Sequence, residues 1–188
     1  MDYAAQLEHE WLKQKYGMDD TKASTKALEN LNRALKESRI STLIYEYEKN
    51  QIEKQLDAVF DDDRTCSSGL IELIRQTQLN KNTRERLLCS PCDHYSSSFI
   101  DMGYGCGYRN VQMLLSSMRE DEKLVDKLFN KGVKKMPSIK KIQQLIERAW
   151  ELGFDLMGKA QLGGNLVNTS KWIGASDVCA MFSSLRIK

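Results

Sequence analysis

The stretch "DMGYGCGYRNVQMLLSSM", Asp101 to Met118, sets a cysteine between two glycines where a loop turns into an apolar-faced helix. Val111, Leu114, Leu115 and Met118 recur at helical spacing, which predicts a helix with one inward stripe starting near Cys106. At a helix start, unpaired N–H groups and the helix dipole favour thiolate over thiol, and the thiolate is the nucleophile. Gly105 and Gly107 would then leave room for a substrate backbone to reach the sulfur and would permit backbone angles that other residues resist. A structural thiol fits the same pattern equally well, since free cysteine packs as a small hydrophobe.

Outward from this turn the apolar positions keep favouring helices. Pro137, at a first-turn position, predicts a helix with Ile139, Ile142, Leu145, Ile146 and Ala149 facing inward and Gly153 ending it. "QLGGNLVNTS" predicts a loop, and Ser170 is placed to cap a last helix through Trp172, Ile173, Val178, Met181 and Phe182. On the other side, "DHYSSSFIDMG" predicts a loop and "GLIELIRQTQL" a short apolar-faced helix. "DDDRTCSSG", Asp61 to Gly69, predicts a turn, with Ser67 or Ser68 able to cap that short helix. Between Gly17 and Gly69 there is no glycine or proline. Leu28, Leu31 and Leu35, then Leu43 and Tyr47, then Ile52, Leu56 and Val59 predict two amphipathic helices parted near Ser38 to Ser41. The chain therefore divides into a helical arm, residues 1–60, and a body, residues 61–188.

Composition narrows the function classes. The 188 residues are 29% charged, and the mean hydropathy is -0.52, as in ordinary globular chains. A net charge of +2 gives no broad basic footprint for nucleic acid. No apolar run long enough to span a membrane occurs, and "MDYAAQLEHE" lacks the regions of a signal peptide, so a cytoplasmic or nuclear setting is expected. Five cysteines, an odd number, argue for reduced thiols rather than a disulfide framework. "CSPC", Cys89 to Cys92, has metal-ligand spacing with His94 nearby, but a four-ligand site needs a second pair, so no metal or cofactor is expected.

"GYGCGYRNVQMLLSS" and "KWIGASDVCAMFSSLRIK", together with "KYGMDD", "DHYSSS" and "IQQLIERAWELGFD", resemble the papain-like cysteine peptidases that cleave ubiquitin and ubiquitin-fold modifiers. The resemblance implies an α+β papain-like fold, of which this chain supplies a mostly α part: the arm and the helical first part of the catalytic domain. It implies Cys106 as nucleophile, with Tyr104 standing where family members usually carry tryptophan. A polar side chain upstream assists the oxyanion in related peptidases, which makes His94 and Tyr95 candidates, with loop packing as their alternative role. A helical arm of the family grips ubiquitin, so Leu7, Trp11, Leu12, Tyr16 and Met18 are candidate ubiquitin contacts, or else pack on the second helix. The family takes its histidine base and orienting acid from strands after "SLRIK", and His9 and His94 match neither. The implied function is a thiol-dependent deubiquitinase acting on isopeptide bonds of ubiquitin chains, inactive or weakly active as this segment. The alternative is a ubiquitin-binding module or inactive short product without peptidase activity.

Overall fold

Two helices form in the glycine-free N-terminal stretch, α1 over Ala23–Lys36 and α2 over Thr42–Asp57. The computed structural model describes residues 7, 11, 20–79, 82–119, 121, 124 and 134–187. α1 stops at Ser38, which takes the left-handed conformation with φ 56°. Its N–H and that of Arg39 bond back to Leu35 O at 3.0 Å and Ala34 O at 2.9 Å, closing the last turn. Ser41 then caps α2, its hydroxyl accepting from Ile44 N at 3.3 Å.

α1 lies against the body. Ala23 joins the main core, while Ala27 and Leu31 cluster with Ile52 of α2 and Ile100 of the body. The buried Asn30 donates to Phe99 O at 3.0 Å and Met102 O at 2.9 Å, fastening α1 to the loop ahead of Cys106. The expected stripe of α2 is only partly inward: Leu43, Tyr47 and Val59 are exposed, while Ile52 is buried and Leu56 partly so. The inward line runs instead through Tyr45, whose hydroxyl donates to Asn32 of α1 at 2.9 Å. A helix with apolar residues on more than one face buries the face its neighbour covers.

β1, Cys66–Ser67, pairs antiparallel with β2, His94–Tyr95, so that Cys66 faces Tyr95 and Ser67 faces His94. Between them α3, Leu70–Gln76, starts at Gly69 in the left-handed conformation, not at a serine cap; Ser67 is committed to the ladder. None of its residues is buried, so its apolar side chains Leu73 and Ile74 face solvent.

α4, Cys106–Ser117, and α5, Ile139–Glu151, carry most of the core. Tyr108, Val111 and Leu115 of α4 meet Ile142, Ile146 and Trp150 of α5, with Tyr95, Tyr104, Met136, Leu162, Leu166 and Met181 closing the cluster. Leu114, expected in the stripe, is exposed. Pro137 lies outside α5, bridged to Phe60; Ser138 is the cap, accepting from Lys141 N at 3.1 Å and donating to Ala58 O at 2.6 Å. Gly153, with φ 88°, ends α5 as expected, and the Phe154 N–H returns to Ala149 O at 3.0 Å.

A helix not expected from the sequence comes next: α6, Leu156–Gln161, capped by Asp155, which accepts from Gly158 N at 2.9 Å. Ser170 caps nothing; it is buried and donates to Thr21 O at 3.2 Å. α7, Ala175–Ser184, starts after Gly174, whose N–H is held by Asp177 at 2.8 Å. Trp172 and Ile173 therefore precede α7 in an irregular segment. The architecture is mostly helical with one two-residue ladder among the described residues.

Candidate active site

The turn before α4 is built around a buried carboxylate. Asp101 O accepts from Gly105 N at 2.7 Å, and its Oδ1 accepts from Ser98 N at 2.8 Å and Ser98 Oγ at 2.7 Å. Arg109, one turn into α4, grips the same carboxylate at both oxygens, each at 3.1 Å. Its third arm reaches Asp61 at 2.8 Å and Gln112 at 3.0 Å, and Gln112 donates to Asp61 at 2.9 Å and Pro137 O at 2.8 Å. Burial works against the Arg109 charge, but the bonds and charges of Asp101 and Asp61 prevail and raise its pKa. One guanidinium thus ties the loop ahead of Cys106, α4 and the segment after α2 together.

The opposite flank of the turn is held by residues 171–174. Tyr108 donates to Lys171 O at 2.9 Å and accepts from Gln143 at 3.3 Å. Trp172 Nε1 donates to Gly103 O, and Ile173 lies against Gly107. Lys171 is itself buried, its ammonium donating to Leu162 O at 2.7 Å and Asn165 O at 3.0 Å and pairing with Asp20 at 2.7 Å.

Cys106 emerges from this frame as the first residue of α4, and it is exposed. The flanking glycines serve a different purpose from the one expected of them. A Cβ on Gly105 would fall 2.0 Å from Asp101 Oδ2, and one on Gly107 would fall 2.9 Å from Ile173 O. They admit neighbouring protein groups, and Gly105 has an ordinary helical φ of -69°.

A cleft of about 210 Å³ opens on the Ile173 side, lined by Gly158, Leu162, Trp172, Ile173, Gly174 and Asp177 among others. Asp177 is buried, and its Oδ1 has no hydrogen-bond partner among the described residues; Asp155 Oδ2 is in the same state. Burial pushes the Asp177 carboxyl up; the Gly174 N–H opposes this and the Asp155 charge adds to it.

The other expected site residues lie elsewhere. The Asp93 N–H donates to Ser116 Oγ at 2.8 Å, and Tyr95 OH accepts from Arg119 at 3.2 Å while donating to Asp63 at 3.1 Å. Ser116 lies near the end of a helix that begins at Cys106, about 15 Å away by helical rise. His94 and Tyr95 thus pack toward the far end of α4, and the structure does not draw them to the sulfur. Burial, first of several causes, raises the Tyr95 phenol far above its ordinary pKa. Leu7 and Trp11 are exposed; Leu12, Tyr16 and Met18 lie outside the described residues. Among the described residues, no group of three or more His, Cys, Asp or Glu is placed to hold a metal. No helix among them is long and apolar enough to cross a membrane.

Asp61, Asp101, Arg109 and Gln112 brace the Cys106 turn, and the sequence pattern did not single them out. One signal was available: Arg109 and Gln112 flank Val111 close to the inward line of α4, where a cation needs a buried anion.

The sequence model of Peptidase family C78 matches residues 82–188. The chain belongs to that family. It is 39% identical over 184 residues to the human "Zinc finger-containing ubiquitin peptidase 1", which covers 96% of this chain and 31% of that protein. The mouse protein of the same name is 36% identical over the same coverage. The "Ubiquitin carboxyl-terminal hydrolase mug105" of Schizosaccharomyces pombe is 41% identical over 87 residues, 46% of this chain and 34% of that protein. The chain thus spans about a third of the length of these family relatives. The match begins after α3, so it takes in the Cys106 turn, the cleft and α5 to α7, while α1 and α2 precede it.

Proposed function

We propose that this chain is the nucleophile-bearing part of a papain-like α+β thiol peptidase that cleaves isopeptide bonds in ubiquitin chains. The observation that carries this reading is Cys106, exposed at the first residue of α4 in a turn braced by Arg109–Asp101 on one flank and by residues 171–174 on the other. The braced turn holds the sulfur in one place. The sulfur attacks the isopeptide carbonyl carbon and forms a C–S bond, the C–N bond breaks, and the lysine amine leaves with a proton taken from solvent; water then cleaves the thioester, releasing the ubiquitin carboxylate and the free cysteine. First-turn N–H groups of α4, which lack helical partners, are the donors we assign to the oxyanion.

The cleft supports a substrate of defined character. Asp177, beside Trp172 and Ile173 in its lining, gives it a carboxylate that suits a basic, extended segment led toward the sulfur. Ubiquitin enters this proposal through the names of the relatives. Within it, residues 1–60 act as a ubiquitin-gripping arm and 61–188 as part of the peptidase body, with Leu7, Trp11, Leu12, Tyr16 and Met18 as contacts, in the cytoplasm or nucleus.

A ubiquitin molecule carrying a thiol-reactive electrophile at its C-terminus tests the reading. It should form one covalent adduct on Cys106, absent from Cys106→Ala; an adduct on another cysteine, or none, defeats the proposal. A second reading, a ubiquitin-binding module without turnover, draws on the position of His94 at the far end of α4, where it cannot serve Cys106 as base. General acid–base assistance is worth about 10²–10⁴-fold, so adduct formation without measurable hydrolysis of diubiquitin would select that reading.

A further inference from the structure

The stretch that leads into α1 pairs with the stretch that braces the Cys106 turn. Ala23 N donates to Asn168 O at 2.9 Å and Ser170 N to Thr21 O at 2.9 Å, with Lys22 and Thr169 bridged antiparallel between them. The paired run ends at Lys171, which is buried. Its ammonium reaches Leu162 O at 2.7 Å, Asn165 O at 3.0 Å, Asn165 Oδ1 at 2.5 Å and the Asp20 carboxylate at 2.7 Å. One cation therefore joins three stretches of chain. A buried ammonium is costly unless its donors find acceptors, and those bonds are directional, so the three stretches are fixed relative to one another.

From Lys171 the contacts continue to the nucleophile. Its carbonyl accepts from the hydroxyl of Tyr108 at 2.9 Å, two residues beyond Cys106 in α4. Trp172 donates to Gly103 O, and Ile173 O would lie 2.9 Å from a Cβ on Gly107. α1 holds the same loop directly, Asn30 donating to Met102 O at 2.9 Å. Residues 20–36 thus reach the turn by two routes, one through Asn30 and one through Lys171.

We propose that Lys171 is a positioning residue for attack by Cys106. It acts through Trp172 and Ile173, which it sets against Gly103 and Gly107, while Asp20 ties the lead-in of the arm to the same point. This rests on the peptidase reading and adds to it that the junction of arm and body fixes where the sulfur stands. Lys171 does not line the cleft, so its loss disturbs the approach of sulfur to carbonyl and leaves substrate affinity alone. A misplacement of about 1 Å costs about 10²-fold in rate.

The test compares the full chain with Lys171→Met, Asp20→Ala and Lys140→Ala. Lys171→Met removes the ammonium, and Asp20→Ala cuts the exposed end of the same hub. Lys140→Ala is the control: it cuts a different arm–body ion pair, Lys140 to Asp57 at 2.8 Å. The rate of adduct formation with the electrophile-tipped ubiquitin, followed against its concentration, yields a maximal rate and a half-saturating concentration. Hydrogen–deuterium exchange reads the Tyr104 and Gly105 amides, both bonded to Asp101 O. In Lys171→Met the maximal rate should fall about 10–100-fold at unchanged half-saturation, with faster exchange of both amides. Asp20→Ala should move both readouts the same way by less, and Lys140→Ala should match the parent. Should Lys171→Met fail to fold, Asp20→Ala decides alone. Unchanged exchange overturns the proposal, as do faster exchange with an unchanged maximal rate, a change confined to half-saturation, and an equal loss in Lys140→Ala. A parent that forms no adduct on Cys106 defeats the peptidase reading and this proposal with it, and faster exchange in the variants would then mark the Lys171 hub as structural only.

Discussion

Replacing Gly105 by alanine drives a methyl group into Asp101. The added Cβ would sit 2.0 Å from Oδ2, 2.6 Å from Cγ and 2.7 Å from Cβ of that side chain, where carbon contacts ordinarily begin near about 3.5 Å. The backbone accepts alanine without strain, φ being -69°, so the whole cost falls on the carboxylate. It cannot retreat that far and keep both Arg109 bonds, each already 3.1 Å, or the two from Ser98. Breaking a buried, hydrogen-bonded ion pair costs about 3–5 kcal/mol, which for a chain of this size lowers Tm by about 6–20 °C. Urea unfolding of Gly105→Ala followed by circular dichroism should show that loss as a lower midpoint at unchanged slope. A double-mutant cycle isolates the cause. Asp101→Ala already forfeits the pair and vacates the space, so adding Gly105→Ala to it should cost less than about 1 kcal/mol more. Full additivity of the two losses, or a Gly105→Ala protein as stable as the parent, would refute the reasoning.

Tyr108→Phe should cost about 1–3 kcal/mol, read by the same unfolding assay, because it leaves Lys171 O without its donor in the interior. Ile52→Ala should lose about 2–5 kcal/mol, whereas Leu43→Ala on the solvent face of the same helix should stay within about 0.5 kcal/mol. Asp177 binds its proton more tightly folded than unfolded, so it is destabilising above the ordinary carboxylate range of about 4 and relieved below it. Relative to Asp177→Asn, the parent should therefore lose stability as pH rises from about 4 toward neutrality, measured as the difference in unfolding midpoints between the two proteins.

The 3.6-residue recurrence of Leu28 and Leu31, of Val111 and Leu115, and of Ile142 and Ile146 determined α1, α4 and α5, and it set Cys106 at a helix start. Gly153 determined where α5 ends. These features are local: hydrogen bonds within four or five residues decide them, and the amino acids that satisfy such bonds can be read in order along the chain. The family resemblance was likewise carried by contiguous motifs and matched the comparison with known proteins. Caps were less legible, because more than one polar residue near Pro137 and Ser170 could have served, and packing against Phe60 and Thr21 chose among them. Only the tertiary structure decided which stripe α2 buries, since α1 covers Tyr45 and Ile52 and leaves Leu43 and Tyr47 in water. It also decided what the two glycines beside Cys106 accommodate, and it placed His94 at the opposite end of α4. Arg109 meets Asp61 across 48 positions of sequence, and no periodicity encodes a partner at that distance. A buried charge must find its counter-ion wherever the chain has folded back, so that network is a property of the packing rather than of any one segment.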